Sequence, residues 1–359
     1  MTTICFLSGV ISHNGGTERV GTMIANVLSD YGYDVRILSF WNHGTPFFAV
    51  DDRVKIDYLM NPKTEGKLFH TYLYPVWKLR NYVKANHIDV LIDIDSVLAY
   101  WTVPSLCGLF CRHIVWDHFN YFHAQTEPRR VTALRLIHGH VDRLVLLTHQ
   151  DKRMYLDAGF SEQQLTVINN PTPFEHVAPS PRSEHRVIAV GRLTDQKGCD
   201  RLISAWSRIH QMVGDWRLTF VGSGELRDDL MRQAEDAEID NIDFISATQN
   251  VQEWYDKASI YALTSRYEGF PMVLLEAMSK GLPIVANDCL TGPRELVHDS
   301  VNGYLVADGD MDSFADKLLS LINDRAKQDE FSCHALSMSK AFHIKPIADK
   351  WRALIDDLT

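Results

Sequence analysis

The chain starts twice. Ile4-Cys5-Phe6-Leu7 runs into a loop holding Gly15-Gly16, a helical stretch to about Tyr31, and a second apolar run at Asp34–Phe40. The same order returns at Val187–Val190, a loop from Gly191 to Gly198, a helical stretch to about Met212, and a run at Trp216–Val221. From Gly16 to Asp34 is 18 positions, and from Gly198 to Trp216 is 18 again. Strand, glycine loop, helix, strand is a βαβ unit, because parallel neighbours need a crossover rather than a tight hairpin. Further strand-like runs at 88–94, 113–115 and 143–148, then at 242–245, 259–264 and 283–287, keep the alternation going. Such alternation predicts parallel sheets covered on both faces. The expected fold class is α/β, with two doubly wound Rossmann-like domains facing a cleft, and 359 residues are enough for both. Prolines gather between Asn170 and Pro181, where periodicity stops. The expected domains are therefore 1–170 and 171–342, followed by an amphipathic helix in 343–359 bearing Ile347, Trp351, Leu354, Ile355 and Leu358.

Composition removes several classes of function. Hydrophobic content of 45% and charged content of 23% are those of a soluble globular protein. No apolar run approaches the ~20 residues of a membrane-spanning helix. The opening MTTICFLSG lacks a basic region, so no secretory signal is expected and the location read is cytoplasmic. A net charge of −10 argues against nucleic acid as a partner. The six cysteines are scattered, Cys107 and Cys111 lack further zinc ligands nearby, and none of the 16 histidines sits in an HExxH. Neither a metal nor a cofactor is expected.

In open parallel sheets, ligands sit beyond the carboxyl ends of the strands. The loop Val190-Gly-Arg-Leu-Thr-Asp-Gln-Lys-Gly198 occupies such a place and carries Arg192 and Lys197. Two cations near a helix start suit a diphosphate; a solvated loop with two surface cations is the alternative. Gly222 lies in Val-Gly-Ser-Gly-Glu225, either a ligand loop or a tight turn. The stretch RYEGFPMVLLEAM places Glu268 just before a helix opened by Pro271 and Glu276 about a turn and a half inside it. The amides of Gly269, Phe270 and Met272 belong to that helix start and point out of it. Carboxylates hold polyol hydroxyls well. Glu276 lies in an otherwise apolar helix, and an unpaired buried carboxylate is costly, which points to a ligand partner.

Taken in order, the glycine-rich first loop, GRLTDQKG, VGSGEL and the E-x7-E pair in EGFPMVLLE resemble the family 4 glycosyltransferases of GT-B fold. The resemblance covers essentially the whole chain. It implies retaining, metal-independent transfer from a nucleotide sugar, commonly UDP-linked, bound in the second domain, to an acceptor bound in the first. It also implies that Arg192 and Lys197 hold the donor diphosphate, Glu268 lies near the transferred sugar, Glu276 accepts from ribose, and amides around Gly269 and Phe270 touch sugar or phosphate. Gly15 and Gly16 match the family's glycine loop, and Arg19 is placed to meet an acceptor phosphate or to be a surface arginine. His118, in Trp-Asp-His-Phe119, matches a histidine the family often sets beside the transferred sugar. The terminal helix would cross back to the first domain.

Three features stand outside that pattern. Asp93-Ile-Asp95 is a DxD, a metal-binding pattern elsewhere, whose alternate residues would share a strand face. Residues 67–84 interleave basic and aromatic positions, with Arg129 and Arg130 adding charge, and suggest contact with an anionic membrane by a transferase using a polyprenyl-linked or growing glycan. A nicotinamide oxidoreductase is excluded by the first loop, which lacks GxGxxG spacing. The alternatives are a nucleotide-sugar epimerase of the same fold and a non-catalytic sugar-nucleotide-binding subunit.

Overall fold

A computed structural model describes residues 1–61 and 72–359. The chain divides into two compact units, residues 1–171 together with 344–359, and residues 172–343.

The first unit is built on β1 (Thr3–Ser8), β2 (Asp34–Trp41), β3 (Lys55–Met60), β4 (Val90–Asp93), β5 (Arg112–Trp116), β6 (Arg143–Leu146) and β7 (Leu165–Val167). They form one parallel sheet in the order β3-β2-β1-β4-β5-β6-β7. Ile4, Cys5, Phe6 and Leu7 are all buried, as a strand covered on both faces requires. Cys5 and Leu7 pack with Leu79 and Val83 of the helix Tyr74–Ala85 and with Leu98 and Leu106. The terminal helix Ile344–Leu358 belongs to this unit and buries Ile347, Ala348, Trp351, Leu354 and Ile355. It lies along the helix Gly16–Asp30. Tyr31 donates to Asp349 at 2.7 Å, Arg143 pairs with Asp357 at 2.9 Å, and the Trp351 and Trp116 rings meet edge to face at 4.7 Å.

The second unit carries β8 (Arg186–Val190), β9 (Arg217–Val221), β10 (Ile242–Ile245), β11 (Ile260–Leu263), β12 (Ile284–Asp288) and β13 (Gly303–Ala307). This sheet too is parallel, ordered β10-β9-β8-β11-β12-β13. Its core joins Val187, Leu218, Phe220, Ile260 and Val285 to Trp206, Phe314 and Phe331. In each unit the strand order reverses direction once, between β1 and β4 and between β8 and β11, and that reversal is where open α/β sheets place their ligands.

Three strands escape the sequence reading, β3, β7 and β13, and all three are sheet edges. The helix read to about Met212 ends at Ser207. Pro75, which breaks the basic-aromatic pattern in sequence, lies in the first turn of its helix, where its missing N–H costs nothing. Lys67 and Phe69 of the 67–84 stretch lie outside the described residues. Of its other cations, Lys78 donates to the Leu59 carbonyl and Arg80 to those of Ser105 and Cys107. Both are turned to the protein's own carbonyls rather than outward. The exposed line of this helix is Leu73, Trp77, Asn81 and Lys84.

Candidate functional site

In the second unit the loops after β8 and β11 interlock. Gly198 has φ 60°, and a Cβ there would lie 2.2 Å from the Thr264 carbonyl oxygen. Thr264 Oγ1 in turn donates to the Gly198 carbonyl at 2.8 Å. This holds Lys197, the last residue of a short 3-10 turn at Asp195–Lys197, against the β11 loop. Lys197 Nζ pairs with Glu268 Oε1 at 2.7 Å, and Ser265 Oγ donates to the same oxygen at 2.6 Å. Glu268 is only 5% exposed. The sequence assigned Lys197 and Glu268 to different parts of a ligand; the structure joins them across the switch point of the sheet. Arg192, in the loop after β8, is exposed and makes no ion pair among the described residues. A cavity of about 20 Å³ between the loops, lined by Gly191, Arg192, Lys197, Tyr261 and Ser265, has room for one water.

Gly222 and Gly224 have a packing reason to be glycine. A Cβ at Gly222 would stand 1.8 Å from the Gly191 carbonyl oxygen, and one at Gly224 would stand 2.2 Å from that of Leu193.

The helix after Glu268 runs Met272–Ser279, with Pro271 as its cap rather than inside its first turn. The N–H groups of Gly269, Phe270 and Met272 make no hydrogen bond among the described residues, which leaves them as donors at the helix start. Thr291 Oγ1 donates to the Glu268 carbonyl, and Gly292 lies so close that a Cβ there would be 2.6 Å from Pro271 Cδ. The turn carrying the first glutamate is thus fixed from behind by a loop that follows β12.

Glu276 is not the unpaired carboxylate its apolar surroundings suggested. It is 7% exposed, and Tyr255 donates its hydroxyl to Glu276 Oε2 at 2.8 Å. Burial first, then the neighbouring carboxylate, raise the Tyr255 hydroxyl well above its ordinary pKa, so it remains a donor at any working pH. The Tyr255 ring stacks on Tyr261 at 6.0 Å and 10°, and the Tyr261 hydroxyl meets the backbone of Val190. Neither tyrosine is marked in the sequence by any motif.

In the first unit, Gly15 caps the helix Gly16–Asp30 after β1, and Arg19 lies one turn in, its guanidinium 5.8 Å from the Phe48 ring. His118 follows β5. Its Nε2 is buried with no partner among the described residues, and its ring lies 4.6 Å from that of Trp116. Burial chiefly, with Asp95 opposing and Arg130 assisting, lowers its pKa to about 4, so the imidazole is neutral near pH 7. Asp117 beside it accepts from Ser96 Oγ at 2.8 Å, from Tyr155 at 2.5 Å and from the Phe119 N–H at 3.3 Å.

The DxD aspartates do not act together. β4 ends at Asp93, whose Oδ2 accepts from Thr102 at 2.6 Å and meets His113 Nε2 at 2.9 Å. Asp95 grips the Arg130 guanidinium through both oxygens, at 2.6 and 3.0 Å. Arg130, read from sequence as surface charge, is buried and stacks 3.8 Å from the Phe119 ring centre. No cluster of three or more potential metal ligands occurs among the described residues.

Comparison with known proteins bears on this geometry. The profile "Glycosyltransferase Family 4" matches residues 14–176 and "Glycosyl transferases group 1" matches 174–337. An "Uncharacterized glycosyltransferase" of Haemophilus influenzae is 33% identical over 357 residues, covering 99% of this chain and 100% of that protein. The "Amylovoran biosynthesis glycosyltransferase AmsD" of Erwinia amylovora is 32% identical over 368 residues, with 99% and 100% covered. The solved structure of the "lipopolysaccharide outer core galactosyltransferase WaaB" in its apo form superposes with a TM-score of 0.82 at 21% identity, over 100% of both chains. These relatives are transferases, and the epimerase alternative finds no support among them. A relative a third identical along its whole length, with two profiles that together span 14–337, makes this chain a member of glycosyltransferase family 4, an enzyme of GT-B fold.

Proposed function

We propose that the enzyme moves a hexose or N-acetylhexosamine from a UDP-linked donor to a lipid-linked or growing glycan, with retention of configuration and without a metal, in cell-surface polysaccharide synthesis. The observation that carries this reading is the meeting of Lys197 and Glu268 over the β8–β11 switch point, with Arg192 beside them. Arg192 and Lys197 hold the diphosphate and balance the charge that grows on it as the glycosidic bond breaks. Glu268 accepts from hydroxyls of the transferred sugar, Glu276 from the ribose, and the amides of Gly269, Phe270 and Met272 reach sugar or phosphate oxygens.

Retention follows from a front-face displacement: the acceptor oxygen enters on the side the diphosphate leaves, and a departing phosphate oxygen takes the acceptor proton. His118, neutral at working pH, serves as a hydrogen-bond partner to a donor hydroxyl; a group that protonates near pH 4 is a poor store for a proton at pH 7. Gly15 and Gly16 leave room for close approach at the helix start, and Arg19 meets an acceptor phosphate. AmsD is named for amylovoran biosynthesis and WaaB for the lipopolysaccharide outer core, which favours a lipid-linked or growing glycan as the acceptor here. Contact with the inner membrane face would use the exposed line Leu73–Trp77–Lys84, and no helix among the described residues is long and apolar enough to cross a bilayer.

The test is transfer from a panel of UDP-sugars to polyprenyl-diphosphate-linked saccharides, with the anomeric configuration of the product read by NMR and EDTA in parallel reactions. An α-linked product from an α-linked donor, formed equally with EDTA, is expected. An inverted product, or transfer abolished by EDTA, refutes the mechanism; release of a free epimerised sugar nucleotide refutes the activity.

A further inference from the structure

We infer that the Lys197–Glu268 ion pair makes the donor site favour an intact nucleotide sugar over the nucleoside diphosphate left after transfer, and so drives product release. The inference rests on the donor reading of Arg192, Lys197 and Glu268 given above and adds a consequence of how two of those groups are joined.

Lys197 reaches Glu268 with its stem laid along the loop that follows β8, so that a Cβ on Gly191 would be 3.4 Å from Lys197 Cε. Its ammonium is 2.7 Å from Glu268 Oε1. The carboxylate is nearly sealed: its side chain is 6% exposed, and Ser265 donates to the same oxygen. A buried carboxylate that loses its cation is left under-solvated, and removing one partner of such a pair costs more than the pair is worth. A diphosphate arriving at Arg192 and Lys197 draws the ammonium away from Glu268. When the diphosphate carries a sugar, hydroxyls arrive with it and donate to the carboxylate, so both halves of the broken pair are satisfied. When it carries none, the cation gains a phosphate while the carboxylate gains nothing. The free diphosphate therefore competes with Glu268 for Lys197, and the intact donor does not. After transfer the sugar is gone from Glu268, the carboxylate recovers the ammonium, and the diphosphate loses one of its two cations.

The same logic makes the two half-ligands cooperative. A monosaccharide seated on Glu268 removes its demand for Lys197 and so strengthens diphosphate binding, and by linkage the reverse holds equally.

The experiment is calorimetric titration of the full chain and of Glu268→Gln with uridine, guanosine, adenosine and thymidine diphosphates and with UDP-glucose, UDP-galactose and UDP-N-acetylglucosamine. Glutamine keeps the size and the acceptor oxygen but not the charge. The diphosphate that binds the natural protein is expected to bind Glu268→Gln about tenfold more tightly, the effect of one charged hydrogen bond no longer competing, while the sugar nucleotide gains nothing or weakens. In the natural protein, saturating glucose, galactose or N-acetylglucosamine should tighten binding of the same diphosphate, a measurement that needs no variant to fold. Equal or weaker diphosphate binding by Glu268→Gln, or no effect of any of the three sugars, overturns the inference and leaves the donor site standing. Absence of binding by every nucleotide to the natural protein overturns both.

Discussion

Tyr255→Phe isolates a single hydroxyl. The ring keeps its stack on Tyr261 and its edge-to-face contact with Phe174 at 5.6 Å, and what is removed is the donor to Glu276 Oε2, with its longer contact to the Val273 carbonyl at 3.4 Å. A hydrogen bond to a charged group is worth about 1.5–3 kcal/mol. With Glu276 buried, bulk water replaces that donor poorly, and about 1.5–3 kcal/mol of stability should be lost. The second consequence is functional. If Glu276 holds the ribose, as proposed, the phenol that donates to it helps fix which way the carboxylate faces, and part of that orientation must otherwise be supplied when the ribose binds. About 1.4 kcal/mol of that cost falls on binding, which is about tenfold in donor KM. The chemical step does not use the ribose, so kcat should change little. Uridine diphosphate and its 2′-deoxy analogue provide the decisive comparison, because only a ribose held by Glu276 distinguishes them. The natural enzyme should prefer the ribonucleotide by about tenfold, roughly one good hydrogen bond, and Tyr255→Phe should reduce that preference to about threefold or less. A Tyr255→Phe enzyme that is less stable yet keeps the full ribose preference would refute the positioning role and leave Tyr255 a core residue. If the natural enzyme shows no preference, Glu276 does not hold the ribose.

Other expectations follow from buried charge and backbone contact. Asp151 accepts from the Tyr121 N–H at 2.8 Å, and burial first, then Asp117, raise its carboxyl to about pKa 8; Asp117 itself is raised, chiefly by burial, to about 6. Carboxyl groups with raised pKa favour the folded state while protonated, so their contribution is full below about pH 4 and is lost as pH climbs through 6 and 8. Asp151→Asn should therefore melt higher than the natural protein at pH 8 and no higher at pH 4; identical melting curves across that range would contradict the burial argument. Asp95→Ala leaves the buried Arg130 guanidinium without its bidentate partner and should cost about 3 kcal/mol by chemical denaturation, whereas Arg130→Met, which removes the charge as well, should cost less. Gly198→Ala forces a Cβ toward the Thr264 carbonyl at a left-handed backbone position and should cost about 2 kcal/mol or more, with donor binding lost alongside. Trp77→Ser should reduce flotation with anionic liposomes, because Trp77 is 59% exposed on a helix whose cations at 78 and 80 are bound to the protein's own carbonyls.

How much was legible follows from burial. The central strands are covered on both faces and must be apolar throughout, so Ile4–Leu7 and Val187–Val190 stand out in sequence. The strands that escaped are edges with weaker demands: Lys55–Met60 carries Lys55 and Asp57, Leu165–Val167 has only three residues, and Gly303–Ala307 begins on glycine. Glu268 and Glu276 were visible because carboxylates in apolar settings are anomalous. What satisfies them was not visible: Ser265 and Tyr255 are common residue types in ordinary places, and Tyr255 lies on a short helix whose other residues are polar or only partly buried. The DxD stood outside the pattern because spacing alone says nothing about where a strand ends. With β4 stopping at Asp93, the two aspartates separate, one to the core and one to Arg130.

The glycines raise a different point. In sequence, Gly198 suggests a backbone that comes close to a ligand, and the Gly222–Gly224 pair reads as either a ligand loop or a tight turn. In the folded chain each already lies against another piece of backbone, within a distance no Cβ tolerates. The close approach they permit is first of one loop to another: β8's loop to β11's at Gly198, and β9's to β8's at Gly222 and Gly224. That contact brings Lys197 to Glu268 over the switch point within the chain itself. A glycine motif of this kind is therefore a signature of preorganisation as much as of binding. The two roles separate by measuring stability together with affinity: a substitution that disturbs only the ligand leaves melting unchanged, while one that disturbs the loops lowers both.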